Sequence, residues 1–374
     1  MARAEGTPTF CSSPLLFPFC LLTLNSTIPS PQSPVPSPQS SQSPRVSLLS
    51  RGRGVYSAPV TTSIARALAA GAAIMGLGAV MVGAADPPRG AFGVGALRRD
   101  SVVVPFASFD GKRWSSAWPP PGLELTVPID LRAVPSRWWG PTRALESWQA
   151  WTAPSPLMLR VVQPDWVDVH CVRQIGLRTD YLPSTLPPPR TEQPYPKDGL
   201  AVSPPQPVER AEIVPSSADE VRSFTRVLTQ AFNEAERLVE QRHGHPVARR
   251  AREGVEPTIE AVYAFGASPR VYYVEANRRY RELGQFLGEC AALAFGTGWF
   301  VRDEAGVRPL TMGVDLLPCD RSGASYMLPL GVMRVGGRLF WIAQFSGWDH
   351  ERFVVIEIKA KTVEVAVSVW GGGC

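Results

Sequence analysis

The chain has 374 residues and a formal net charge of +5. That balance invites a nucleic-acid partner, but its distribution excludes one. Residues 1–84 hold five arginines (Arg3, Arg45, Arg51, Arg53 and Arg66) against Glu5, which leaves only +1 for the rest and no domain-scale basic patch.

Residues 1–60 read as a disordered leader. The run TIPSPQSPVPSPQSSQSP over 27–44 cannot bury enough apolar surface to offset its ordering entropy. A true start near Val46, Val55 or Val60 would shorten this leader. Residues 61–85 read as a signal peptide or a membrane anchor. The stretch 67–85 is uncharged and apolar, follows Arg66 and stops at Asp86, Pro87 and Pro88. Val82 and Ala84 suit a small-residue cleavage site. The same stretch is near the roughly 20 residues that a spanning helix needs, though it is poor in Leu and Phe. Residues 86–100 read as a lead-in.

Residues 101–178 are expected to form a small Trp-rich β domain. A β-rich run over 102–109 meets Asp110-Gly111, a strong hairpin turn. Further strands are expected over 123–134, 157–162 and 166–177, punctuated by proline. Seven tryptophans (Trp114, Trp118, Trp138, Trp139, Trp148, Trp151 and Trp166) lie here. They fit a core of large rings, or a platform for a sugar or a partner. Trp138 and Trp139 are adjacent, so on a strand one of them would face outward as a ligand-binding aromatic.

The proline-dense run 179–215 reads as a linker. An α+β domain is then expected over 216–374. It opens with a helix whose capping box is Ser217 and Glu220. Its apolar stripe runs through Val221, Phe224, Leu228, Ala231, Ala235, Leu238 and Val239, and Gly244 stops it. Paired strands follow: 258–265 with 270–276, 291–302 with 307–318, 326–335 with 338–345, and 353–359 with 363–370. Gly336-Gly337 is a two-residue hairpin turn. The alternation of Val363, Val365, Val367 and Val369 predicts one buried face for the last strand. The fold class is therefore α+β and mostly antiparallel β.

Cys171, Cys290, Cys319 and Cys374 follow the export-like stretch and allow three disulfide pairings. A four-residue loop over 303–306 sets Trp299 against Leu310 and Leu293 against Leu316. It carries Cys290 opposite Cys319, within disulfide reach. Pro309 is the weak point of this register. The partners of Cys171 and Cys374 are open.

Catalytic motifs are lacking: there is no Gly-rich phosphate loop, HExxH or G-x-S-x-G. His243 and His245 flank a helix end, where histidine is ordinary. The run 346–351 holds a serine, an acid and His350, but a triad converges from separate elements. Asp315 and Asp320 are a weak candidate for paired carboxylates. No metal, cofactor or catalytic residue is assigned. The reading is an exported, non-enzymatic binding or structural protein of the cell envelope or periplasm, with a glycan or envelope protein as partner. The alternatives are an exported hydrolase of carbohydrate or cell-wall material, and a single-pass anchored protein if 67–85 is not cleaved.

Overall fold

The computed structural model describes residues 90–122, 128, 130–151, 156–182, 199–281, 290–348 and 350–374. The expected leader 1–60, the signal or anchor 61–85 and residues 183–198 of the proline run lie outside the described residues. Among the described residues no helix is long and apolar enough to cross a membrane.

The described chain is mostly antiparallel β. Strands β1 (Phe92–Leu97), β2 (Val102–Phe109), β4 (Ser147–Ala150), β5 (Leu157–Val169), β6 (Val172–Thr179) and β7 (Gly199–Ser203) form a closed barrel. The order runs β1-β7-β4-β5-β6-β2, and β2 pairs back to β1; the short β3 (Trp114–Ser115) hangs on the end of β2. Gly95 on β1 and Gly176 on β6 lie against Val103 and Val102 of β2, with no room for a Cβ at either. This close approach lets the sheet curl. Asp110 closes the β2–β3 turn by accepting the N–H groups of Lys112 and Arg113, each at 2.7 Å.

Strand β8 (Glu212–Ile213) lies beside β9 (Thr258–Phe265), β10 (Arg270–Arg281), β11 (Cys290–Asp303) and β12 (Gly306–Leu317) in a five-stranded sheet. Strands β13 (Tyr326–Val335), β14 (Arg338–Ser346), β15 (His350–Ile358) and β16 (Val363–Gly373) form a four-stranded sheet. Helices α1 (Asp219–Arg222), α2 (Thr225–His243) and α3 (Arg249–Arg252) come between β8 and β9. Four layers result. Leu228 and Phe232 of α2 pack on one face of the five-stranded sheet, with Val262, Tyr272 and Ala294. Tyr263, Tyr273 and Trp299 on its other face meet Trp341, Ala343, Val354 and Ile356 of the four-stranded sheet. Phe340, Ile342, Phe353 and Val355 face the opposite way, onto Phe92, Phe106 and Val202 of the barrel. Phe106 stacks on Phe353 at 5.1 Å between ring centres. Strands β14 and β15 are buried on both faces, so they read as continuous apolar runs.

Several expectations need correction. Residues 92–97 are not a lead-in but the barrel strand β1. The linker expected over 179–215 is structured in its described C-terminal part. There β7 lies between β1 and β4, Glu209 exchanges two 2.8 Å backbone hydrogen bonds with Val332, and β8 joins β9. In that part Pro204, Pro205 and Pro207 come after β7, which leaves Leu200-Ala201-Val202 free to pair. The expected boundary between a Trp-rich domain and an α+β domain is thus crossed by strand pairing and by a shared core. His170 and Cys171 form a turn, with His170 at φ 51°, and split the expected strand 166–177 in two. The capping box does not form: the N-cap of α1 is Ala218. Glu220 instead accepts from Tyr272 at 3.0 Å and Arg270 at 3.0 Å. A bulge between Val355 and Ile356 interrupts the alternation of β16 and leaves Val365 exposed.

Two disulfides are present. Cys171 is bonded to Cys374 across 203 residues, and Cys290 to Cys319 across 29. The β11–β12 register slips at Pro309, where Phe300 faces Pro309 and Trp299 faces Thr311. Cys319 therefore meets Cys290 from the β12–β13 connection rather than from an opposed strand position.

Candidate ligand-binding cleft

The two strands β9 and β10 run opposite each other until a bulge. Glu275 faces Ala261, but Ala276 faces Ile259, so Glu260 is an extra residue on β9. A bulge re-aims the side chain at its centre, and here it brings Glu260 beside Glu275 and Asn277. The connection 318–325 returns across this spot, held at its base by Cys290–Cys319. Together with the ends of β13 and β14 these segments enclose a cavity of about 600 Å³.

Glu275 is 1% exposed. Its Oε1 accepts the Met327 N–H at 2.7 Å, and the buried Tyr273 hydroxyl hydrogen-bonds the same carboxyl. Burial, reinforced by the nearby Glu260 charge and opposed by the Met327 N–H and the Tyr273 hydroxyl, pushes the carboxyl up to about 8. Glu275 is thus protonated at neutral pH and is a hydrogen-bond donor. Glu260 Oε1 accepts from Asn277 Nδ2 at 2.6 Å and pairs with Arg321 Nη2 at 2.6 Å. Its Oε2 is buried without a partner. Arg321 adopts φ 64° and reaches Tyr326 Oη at 3.3 Å. Asp320, at the rim, accepts the Ser322 N–H at 2.9 Å; the backbone hydrogen bonds of this turn hold its carboxyl below the usual range. Ala324 and Leu328 supply apolar wall. Trp348, just beyond the end of β14, also lines the cavity and is 81% exposed.

The residues singled out from the sequence are scattered. Trp138 and Trp139 lie on a single-turn 3₁₀ helix, Ser136–Trp139, not on a strand. They are 7% and 5% exposed and pack on Trp118 at 5.6 and 5.2 Å between ring centres. Neither is an outward aromatic, because the helical turn points both rings into the barrel. Of the two aspartates, Asp320 reaches the cleft rim while Asp315 stands exposed on β12. Ser346, Gly347 and Trp348 line the cleft; Asp349 lies outside the described residues, and the His350 ring packs against Gly347. His245 is buried beside Glu236, 3.3 Å away, in a network that also holds Arg278 and Tyr280. Among the described residues no group of His, Cys, Asp and Glu side chains is placed to hold a metal ion.

Glu260, Glu275, Arg321 and Trp348 were not legible as a set. The one local signal is Glu275 itself, a carboxylate within the apolar β run Val271-Tyr272-Tyr273-Val274. Such a residue is almost never fully buried without a purpose or a partner.

No protein-family model matches the chain, no curated protein matches its sequence and no solved structure matches its fold.

Proposed function

We propose that the chain is an exported, non-enzymatic binding protein whose ligand occupies this cleft. The observation that carries the reading is Oε2 of Glu260, a buried carboxyl oxygen with no partner, set beside the buried carboxyl of Glu275 at an open cavity. A buried polar group left unpaired costs about 1–3 kcal/mol, which a ligand supplying the missing partner recovers. Two disulfides fit an oxidising compartment, in keeping with the export-like stretch 67–85.

The alternative is an exported hydrolase, favoured by a protonated carboxyl and a second carboxylate in one cleft. Against it, Glu260 is held by both Arg321 and Asn277. It is a fixed acceptor rather than a base free to take a proton.

A thermal-shift screen of sugars, amino acids, amines and carboxylic acids tests the binding reading, run beside Ser322→Trp, which fills the cleft mouth. A stabilising compound whose effect vanishes in Ser322→Trp supports it. An effect that persists in Ser322→Trp, or no effect from any compound, overturns it. Turnover of a glycoside lost in Glu275→Gln would establish the hydrolase instead.

A further inference from the structure

Resting on the reading of the cleft as a binding site, we infer that its ligand is an uncharged saccharide whose hydroxyls bond the free oxygen of Glu260 beside Glu275 while one sugar face stacks on Trp348. Three features of the cleft select that chemistry.

The first is charge. Glu260 is already compensated by Arg321 at 2.6 Å. An anionic ligand would meet Glu260 and the rim carboxylate of Asp320, and a cationic one would meet Arg321. A charged ligand would compete for one member of the Glu260–Arg321 pair. A neutral ligand leaves the pair intact.

The second is the hydrogen-bond code. The free oxygen of Glu260 needs a donor. Glu275, protonated at neutral pH and bonded to the Tyr273 hydroxyl, is a neutral neighbour rather than a second charge. A hydroxyl donates to Glu260 and accepts where a donor is offered, so it suits this mixed pair. A wholly apolar ligand would leave the Glu260 oxygen orphaned. A ligand with acceptors alone would leave Glu260 unsatisfied.

The third is Trp348. An indole 81% exposed at the rim of a cavity is a large flat surface whose apolar contact is unused in the free protein. A sugar ring carries polar edges and a C–H face. It is therefore suited to bury its face on the indole and turn its edge to the carboxyls. The cavity, about 600 Å³, lies within the range of small-ligand pockets, roughly 300–1,000 Å³.

The test is titration of the full exported chain with neutral di- and trisaccharides of glucose and of N-acetylglucosamine, by calorimetry and by tryptophan fluorescence. Sialyllactose, glucosamine and lysine are the charged controls. The expected result is binding of at least one neutral sugar with a change in emission. Affinity should fall at least tenfold in Trp348→Ala and in Glu275→Leu. Glu275→Gln, which keeps a donor of the same shape, should stay within about threefold of wild type. Circular dichroism and unfolding midpoints confirm that each variant is folded. Sugar binding indifferent to Trp348→Ala, or binding of a charged control alone, overturns the saccharide assignment. If the charged ligand is also lost in Ser322→Trp, the cleft remains a binding site for another class. Absence of any cleft ligand in both this titration and the wider screen removes the binding reading itself.

Discussion

Four tryptophans fill the barrel, Trp118, Trp138, Trp139 and Trp148, none more than 7% exposed, whereas Trp348 stands at the cleft mouth at 81%. Trp148 stands on the barrel strand β4 and shares one core with Trp118, Trp138 and Trp139, where Trp118 Nε1 donates to Ile175 O at 2.9 Å. Trp348 lies beyond the last paired residue of β14, Ser346, where no strand among the described residues covers it. The disulfides divide in the same way. Cys171–Cys374 ties the β5–β6 turn of the barrel to the end of β16, while Cys290–Cys319 braces the loop that carries Arg321. On the proposed reading one region is arranged for stability and the other for a ligand, although both use the same residue types.

The largest single effect should come from the disulfides. Removing Cys171–Cys374 with a Cys171→Ala, Cys374→Ala double variant should cost about 5 kcal/mol in the chain-entropy model, against about 3.5 kcal/mol for Cys290→Ala, Cys319→Ala. Urea unfolding without reductant measures both. The second pair, not the first, should also weaken cleft binding; a loss of binding from the first alone would break the comparison.

Next come the tryptophans. Trp139→Ala should lower unfolding stability by about 3–5 kcal/mol, as large-to-small core changes do, while Trp348→Ala should stay within about 0.5 kcal/mol. Similar costs from the two would mean that Trp348 is core in solution.

A pH experiment follows. Glu275 ordinarily titrates at 4.5 and is pushed up to about 8 in the fold, first by burial. Its contribution is therefore fully present below about pH 4.5 and is lost as pH rises through about 8, because the unfolded chain releases this proton earlier. Each tenfold difference in proton affinity corresponds to about 1.4 kcal/mol. The unfolding midpoint of wild type should fall across this window more steeply than that of Glu275→Gln. Parallel profiles would mean that Glu275 is ionised in the folded protein.

The smallest effect is expected where the two regions share a support. Gly337, at φ 75°, turns β13 into β14, and Gly337→Ala should cost about 1 kcal/mol. Barrel fluorescence and cleft binding should weaken together in denaturant, since one sheet backs both; uncoupled loss would show two independent units.

Local patterns were the most legible. The Asp110-Gly111 and Gly336-Gly337 turns, the antiparallel pairing after residue 258 and the apolar stripe of α2 all follow from short-range chemistry: turn residues that accept positive φ, and side-chain periods of 2 and 3.6. Register was less legible. The bulges at Leu310, Glu260 and Ala366 each shift it by one residue. Strand pairing over 199–213 was obscured by the density of prolines around it. The candidate cleft was hidden more thoroughly, since Glu260, Glu275, Arg321 and Trp348 come from separate segments and are ordinary residues one at a time.

By itself, the sequence determined that residues 101–178 and 216–374 are mostly antiparallel β with one long amphipathic helix, because backbone geometry and apolar alternation act over a few residues. It also determined the supply of cysteines and tryptophans. Only the tertiary structure decided which tryptophans are covered, where the proline-rich run joins the sheets, and that two glutamates meet in one cavity. Burial is a property of what packs on top of a residue, and that neighbour lies up to hundreds of residues away in the chain, as Cys171 and Cys374 show across 203.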